Sequence, residues 1–143
     1  MMKVHGSSVV VNDKGILFIG PSGAGKSDLA LRLLDGGATL IADDYTQVCV
    51  QDGHAILSPP KEIEGMLEVR GVGLMKVPFA RDIQLHFVFD LEQFQKIERM
   101  PIMETQSYEE VEIPKYSLDP FMASAPAIVR MVALNEIIGI ENE

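Results

Sequence analysis

Residues 20 to 27 read Gly20-Pro21-Ser22-Gly23-Ala24-Gly25-Lys26-Ser27, directly after the apolar run Ile16–Ile19. The order is glycine, four residues, glycine, lysine, serine. Glycines there permit backbone angles and close approaches that a Cβ would obstruct. Successive amide N–H groups can then converge on phosphate oxygens, aided by the positive end of a following helix. Lys26 can reach the outer phosphates, and the Ser27 hydroxyl is placed to ligate Mg²⁺. The bland alternative is a glycine-rich turn with an incidental Lys-Ser. The strand signal before it and the helix signal after it favour phosphate binding.

Further candidates stand downstream. Asp43 and Asp44 follow a largely apolar run, where a carboxylate would face the ligand crevice at a strand's carboxyl end. Neighbouring strand residues point to opposite sides. One of the two is therefore expected to face a terminal phosphate while the other bonds the scaffold. The facing carboxylate would hold a metal ion or take a proton from an attacking hydroxyl; turn or capping aspartates are the plainer reading. Glu68 and Arg70, spaced by one residue, would share a face of a strand and could manage a metal and a phosphoryl group. A surface ion pair fits that pattern equally. Gly71 and Gly73 suit a closely approached backbone. His5, taken alone, reads as a surface histidine; beside Asp44 it would orient that carboxylate or share its proton. No metal-ligand spacing links His5, His54 and His86.

The elements needed to position these groups are legible in outline. "KVHGSSVVVN" and "GILFIG", separated by "DKG", predict a hairpin leading into the loop. From Lys26, Leu29, Ala30, Leu33 and Leu34 fall on one helical face, and Gly36-Gly37 supply the stop. "TLIADD" predicts the next strand, and "YTQVCVQDGHAILS" another hairpin with Asp52-Gly53 at its turn. Alternation in "TQVCVQ" places Cys49 at a buried strand position. "GVGLMKVPF" and "DIQLHFVFDL" predict later strands. "PAIVRMVALNEIIG", residues 126–139, predicts a closing helix with Pro126 in its first turn. No repeat or linker divides the chain. The fold class expected is α/β, one domain over 1–143 with a mostly β core, a helix after the phosphate loop and a C-terminal helix.

Composition narrows the function. The chain has 143 residues, enough for one domain with a real core. The net charge of −9 argues against a broad nucleic-acid surface, which works by neutralising phosphates with Lys and Arg. No apolar run approaches the roughly 20 residues that span a bilayer, and the N-terminus carries no secretory signal pattern. A single cysteine cannot form an internal disulfide, so a cytoplasmic protein without membrane association is expected.

Taken together, "HGSSVVVNDKGILFIGPSGAGKSDLALRLLDGGATLIADD", "LEVRGVGL" and "ETQSYEEVEIPK" resemble the catalytic domain of HPr kinase/phosphorylase, over nearly the whole chain. The combination is far more specific than the phosphate loop alone. The resemblance implies phosphorylation of a serine of HPr, the carrier protein of the bacterial phosphotransferase system. It also implies the reverse release of HPr by inorganic phosphate, giving pyrophosphate. Carried over by motif, Gly20 to Ser27 would hold the nucleotide phosphates and Lys26 would act in catalysis. Asp44 would be the proton acceptor, with His5 beside it and Asp43 in support. Ser27 and Glu68 would serve Mg²⁺, Arg70 would lie in the signature segment, and Arg99 would match a later catalytic arginine. The donor would be ATP or pyrophosphate, and the assembly a homohexamer.

Two departures from the family pattern are expected to matter. The chain begins almost at the histidine, so the catalytic half alone is present. The family's basic loop after "IPK" is replaced by "YSLDPFMASAPAIV", which has no basic residue between Lys115 and Arg130. Less positive charge beside an anionic phosphoserine should weaken its binding, favouring kinase over phosphorolysis activity. Two other functions share the loop: a kinase of a small molecule, and a nucleotide-sensing regulator without catalysis. Phosphoenolpyruvate carboxykinase resembles the family in active-site layout, but this chain is short for that enzyme's substrate apparatus.

Overall fold

A computed structural model describes residues 1–138. The chain opens with the expected hairpin, β1 (Met2–Val11) and β2 (Lys14–Ile19), paired antiparallel from Gly6↔Ile19 to Val11↔Lys14. Helix α1 (Lys26–Asp35) follows the glycine loop, and β3 (Thr39–Ala42) returns antiparallel to β1. β4 (Tyr45–Gln51) and β5 (His54–Ser58) form the next hairpin. β6 (Met66–Val69) and β7 (Gly73–Lys76) make a separate two-stranded sheet. β8 (Ile83–Leu91), the hairpin β9 (Glu104–Tyr108) and β10 (Val111–Leu118), and helix α2 (Ala125–Leu134) complete the described strands and α-helices.

The main sheet holds eight strands and closes on itself. Pairing runs β2–β1–β4–β5–β8, and β8 pairs back onto β2. β10 extends the sheet from β8 outside that circuit, so β2, β8 and β10 are parallel neighbours in the order β2-β8-β10. Their carboxyl ends therefore open at one edge, where the glycine loop leaves β2.

Strand alternation divides the core in two. Ile16 and Phe18 of β2 face α1 and α2, packing with Leu29, Leu33, Phe89 and Val129. Leu17, between them, faces the other way onto Ile41, Val48, Leu57 and Val88. Phe18, Leu29 and Leu33 are fully buried, so the apolar face expected for α1 is the one that docks on the sheet, with Leu34 half-buried at its margin. Burial of this kind, rather than intrinsic propensity, stabilises a helix of only 10 residues.

Several expectations are corrected. Cys49 is half-buried, because β4 turns Thr46 and Val48 inward instead. Helix α2 stops at Leu134, short of the expected 139, and position 139 lies outside the described residues. Asparagine at 135 is extended and ends the helix. Arg70 is not on a strand with Glu68: β6 ends at Val69 and Arg70 begins the turn to β7. Gly71 and Gly73 have φ of 89° and 118°, values that glycine holds without strain at the β6–β7 turn, with no protein atom within 4 Å of an added Cβ. Among the described residues no helix is long and apolar enough to cross a membrane.

Candidate active site

A cavity of about 480 Å³ lies between the glycine loop, the start of β1, the residues after β3 and the β6–β7 turn. Five separate stretches of chain meet there, the segment of Phe121 among them. From the loop come Ser22, Gly23, Gly25, Lys26 and Ser27. His5 and Ser7 come from β1, Asp44 from the bend after β3, and Glu68 and Arg70 from the β6 end.

The loop is built as its residues require. Gly25, at φ 101°, caps α1 in the left-handed region, and an added Cβ would stand 3.0 Å from the Pro120 ring and 3.1 Å from that of Phe121. Lys26, the first residue of α1, is buried, with Nζ donating to the carbonyls of Gly20 at 2.7 Å and Pro21 at 2.8 Å. An ammonium has three donors, so one remains for a ligand in the cavity. Burial lowers the Lys26 pKa, while the charges of Asp44 and Asp43 oppose that shift. Pro21 and Ala24 face the opposite side of the loop, toward a second cavity.

The two aspartates have different surroundings. Asp43 is buried and bonds only to the scaffold. Its Oδ1 accepts from Ser27 Oγ at 2.7 Å and Ser7 Oγ at 2.9 Å, and its Oδ2 from the Glu68 backbone N–H at 3.2 Å. It thus ties the loop serine, β1 and β6 to one carboxylate. Asp44 is exposed, and its Oδ1 lies 3.3 Å from His5 Nε2. Asp44 adopts φ 74°, a left-handed conformation that a non-glycine residue holds at some cost. Three hydrogen bonds hold that bend: Asp44 N–H to Ser7 Oγ at 3.1 Å, Gly6 N–H to the Asp44 carbonyl and Tyr45 N–H to the Asp43 carbonyl, both at 2.9 Å.

Among the described residues no three Asp, Glu, His or Cys side chains cluster tightly enough to cage a metal ion. The oxygen donors at hand are the Ser27 hydroxyl with Asp43 against it, and Glu68 on the cavity wall. Hard oxygen donors in small number suit Mg²⁺, which binds through one or two protein groups plus phosphates and water. Arg70 reaches the same cavity. Arg99 does not line it; it lies on the exposed stretch after a short 3-10 turn, Phe94–Lys96.

Sequence reasoning missed Ser7 and Phe121. Ser7 is fully buried in β1, and only its contacts with the two aspartates reveal its place. A serine two residues after His5 on the same strand was the available signal, since period 2 sends both to one face.

Comparison with known proteins identifies the family. The family model described as HPr Serine kinase C-terminal domain matches residues 1–138. HPr kinase/phosphorylase of Clostridium botulinum (strain Eklund 17B / Type B) is 48% identical over 75 residues, 52% of this chain and 25% of the relative. That of Clostridium tetani is 46% identical over 76 residues, 53% of this chain and 25% of the relative. The matched stretch thus spans about a quarter of those relatives' length. In fold, the chain is similar to the Hpr(Ser) kinase/phosphatase of Coxiella burnetii, with a TM-score of 0.82, 22% identity, and coverage of 93% of this chain and 88% of that one. With the family model matching all but the last few residues, the chain belongs to the HPr Serine kinase C-terminal domain family.

Proposed function

We propose that this chain transfers the terminal phosphoryl group of ATP to a serine hydroxyl of HPr in the cytoplasm. One observation carries the proposal: the His5–Asp44 pair lines the same cavity as Lys26 and Ser27 of the glycine loop. The family and the names of the relatives support HPr as acceptor.

In this mechanism the amides of residues 22–27 hold the outer phosphates, and the free donor of Lys26 neutralises charge that builds during transfer. The serine oxygen attacks the terminal phosphorus, the bond to the bridging oxygen breaks, and ADP leaves. Asp44 takes the serine proton, while His5 steadies its carboxylate. Ser27 and Glu68 would hold Mg²⁺, with Asp43 orienting Ser27; bound there, the ion supplies charge neutralisation at the phosphates. Arg70 adds positive charge at the cavity rim. Arg99 would act only by approaching from its loop.

The reverse reaction would use inorganic phosphate as the attacking group in the same cavity, with Asp44 returning the proton. Acidic Asp119 and the apolar Pro120 and Phe121 occupy the segment where the family pattern carries basic residues. We therefore expect slow phosphorolysis beside intact kinase activity. Mixing the chain with HPr, Mg²⁺ and ATP labelled on its terminal phosphate tests the forward reaction. Acid-stable label on an HPr serine supports it. ATP binding with no labelled HPr would point instead to a nucleotide sensor, and turnover of a metabolite without HPr to a small-molecule kinase.

A further inference from the structure

We propose that the second cavity, of about 560 Å³ on the far side of the glycine loop, is the nucleoside subsite, where the base stacks on Phe121 and the ribose meets Glu92. The inference rests on the phosphoryl-transfer reading above. It names where the rest of the donor goes.

Topology supplies the first support. Leu91 and Asp119 stand at the carboxyl ends of β8 and β10, parallel neighbours of β2. Ligands of parallel α/β sheets bind in the crevice outside those ends. The second cavity occupies that crevice, lined by Leu91, Glu92, Asp119 and Phe121 together with Pro21 and Ala24 of the loop.

The geometry of transfer supplies the second. Attacking and leaving oxygens lie roughly in line through the transferred phosphorus. His5 and Asp44, which receive the acceptor, line the first cavity and not the second. The leaving diphosphate must extend away from them, across the loop. Gly23 and Phe121 border both cavities, so the path from one to the other passes over the loop at these residues.

Chemistry supplies the third. Carboxylates repel phosphates but accept hydrogen bonds from sugar hydroxyls. Glu92 uses Oε2 for Ser117 Oγ, leaving its other oxygen for a ligand. Asp119 is committed to the scaffold, accepting from the backbone N–H groups of Phe94 at 3.0 Å and Phe121 at 2.9 Å. Arg32 of α1 also grips this segment, donating to the carbonyls of Pro120 and Met122. Phe121 is therefore an exposed ring, 71% accessible, on an anchored backbone. A pre-positioned aromatic face is suited to stacking a purine at small entropic cost.

The test titrates the chain with Mg·ATP and, separately, with Mg·tripolyphosphate, which has the phosphates and no nucleoside. Phe121→Ala is expected to weaken ATP about tenfold and leave tripolyphosphate unchanged. The chain has no tryptophan, so Phe121→Trp places a single reporter in the cavity. Its emission is expected to change with ATP and not with tripolyphosphate. Equal ATP affinity in Phe121→Ala and the unaltered chain overturns the proposal, as does equal weakening of both probes, which would mean a distorted loop. A Phe121→Trp reporter silent to bound ATP also overturns it. If tripolyphosphate binds the unaltered chain and ATP binds no tighter, the subsite is refuted while phosphate binding stands. If neither binds, both readings fall.

Discussion

Asp44 owes its position to atoms that do no chemistry themselves. Its φ of 74° would relax without restraint, and the Ser7 hydroxyl restrains it while also donating to Asp43. Replacing Asp44 by Asn keeps the shape and removes the proton acceptor. Phosphorylation of HPr is expected to fall by about 10²- to 10⁴-fold with ATP affinity retained, measured by labelled transfer alongside calorimetric titration. Ser7→Ala removes that restraint and, with it, one hydroxyl donor to Asp43. It leaves the buried Asp43 carboxylate short of one donor and the Asp44 N–H without that acceptor, and is expected to cost about 1–3 kcal/mol of stability. A serine that merely filled space would leave catalysis alone; a positioning serine is expected to lower kcat about tenfold or more while KM for ATP barely moves. Steady-state kinetics at fixed HPr separates the two. Strand period placed Ser7 on the face of His5, but its bonds to the two aspartates were not legible from sequence, because those residues lie 36 and 37 positions away.

At the level of elements, the glycine loop and its helix are the best-specified part of the chain. The period of Leu29, Ala30 and Leu33 gave the helical face, and Gly36 donates its N–H to carbonyls of the last turn at the expected stop. The hairpins were legible for the same local reason, alternation plus turn residues. Arg70 was misplaced because periodicity locates a strand but not the residue at which pairing ends. Gly25 sits where loop and helix join, and there the backbone and the neighbouring rings act together. Gly25→Ala forces a Cβ into the left-handed region, at a cost of about 1–2 kcal/mol. The same Cβ would press on the Pro120 and Phe121 rings. Lower thermal stability together with weaker ATP binding is expected; a melting curve and a titration on one preparation read both. An unshifted titration would show that the rings yield without disturbing the loop.

For the molecule as a whole, the closure of the sheet and the meeting of distant segments had no local signature. The first cavity draws on residues 5, 27, 44 and 68, and the second on residues 21, 91 and 121. Motifs showed which residues could act on phosphate. Only the parallel trio β2, β8 and β10 shows that loops after all three strands converge on one edge. That convergence gathers negative charge in an acidic chain of net −9. Asp90 feels it most plainly: its pKa is raised by burial first, then by Glu92, with Lys115 opposing and Glu104 adding. A carboxyl whose folded pKa lies above its unfolded value favours the folded state most at low pH, and that contribution is lost as pH rises through the folded pKa. At neutral pH the charged Asp90 is thus a liability in the ligand-free protein. Asp90→Asn, which carries no charge at any pH, is expected to melt up to about 2 °C higher at pH 7, a small gain because solvent screens a partly exposed group. Below the ordinary carboxylate value of 3.8 both proteins carry a neutral side chain there and the gain should vanish. Paired melting curves across that range check the sign. A gain that persisted or grew in acid would assign the effect to packing and not to charge.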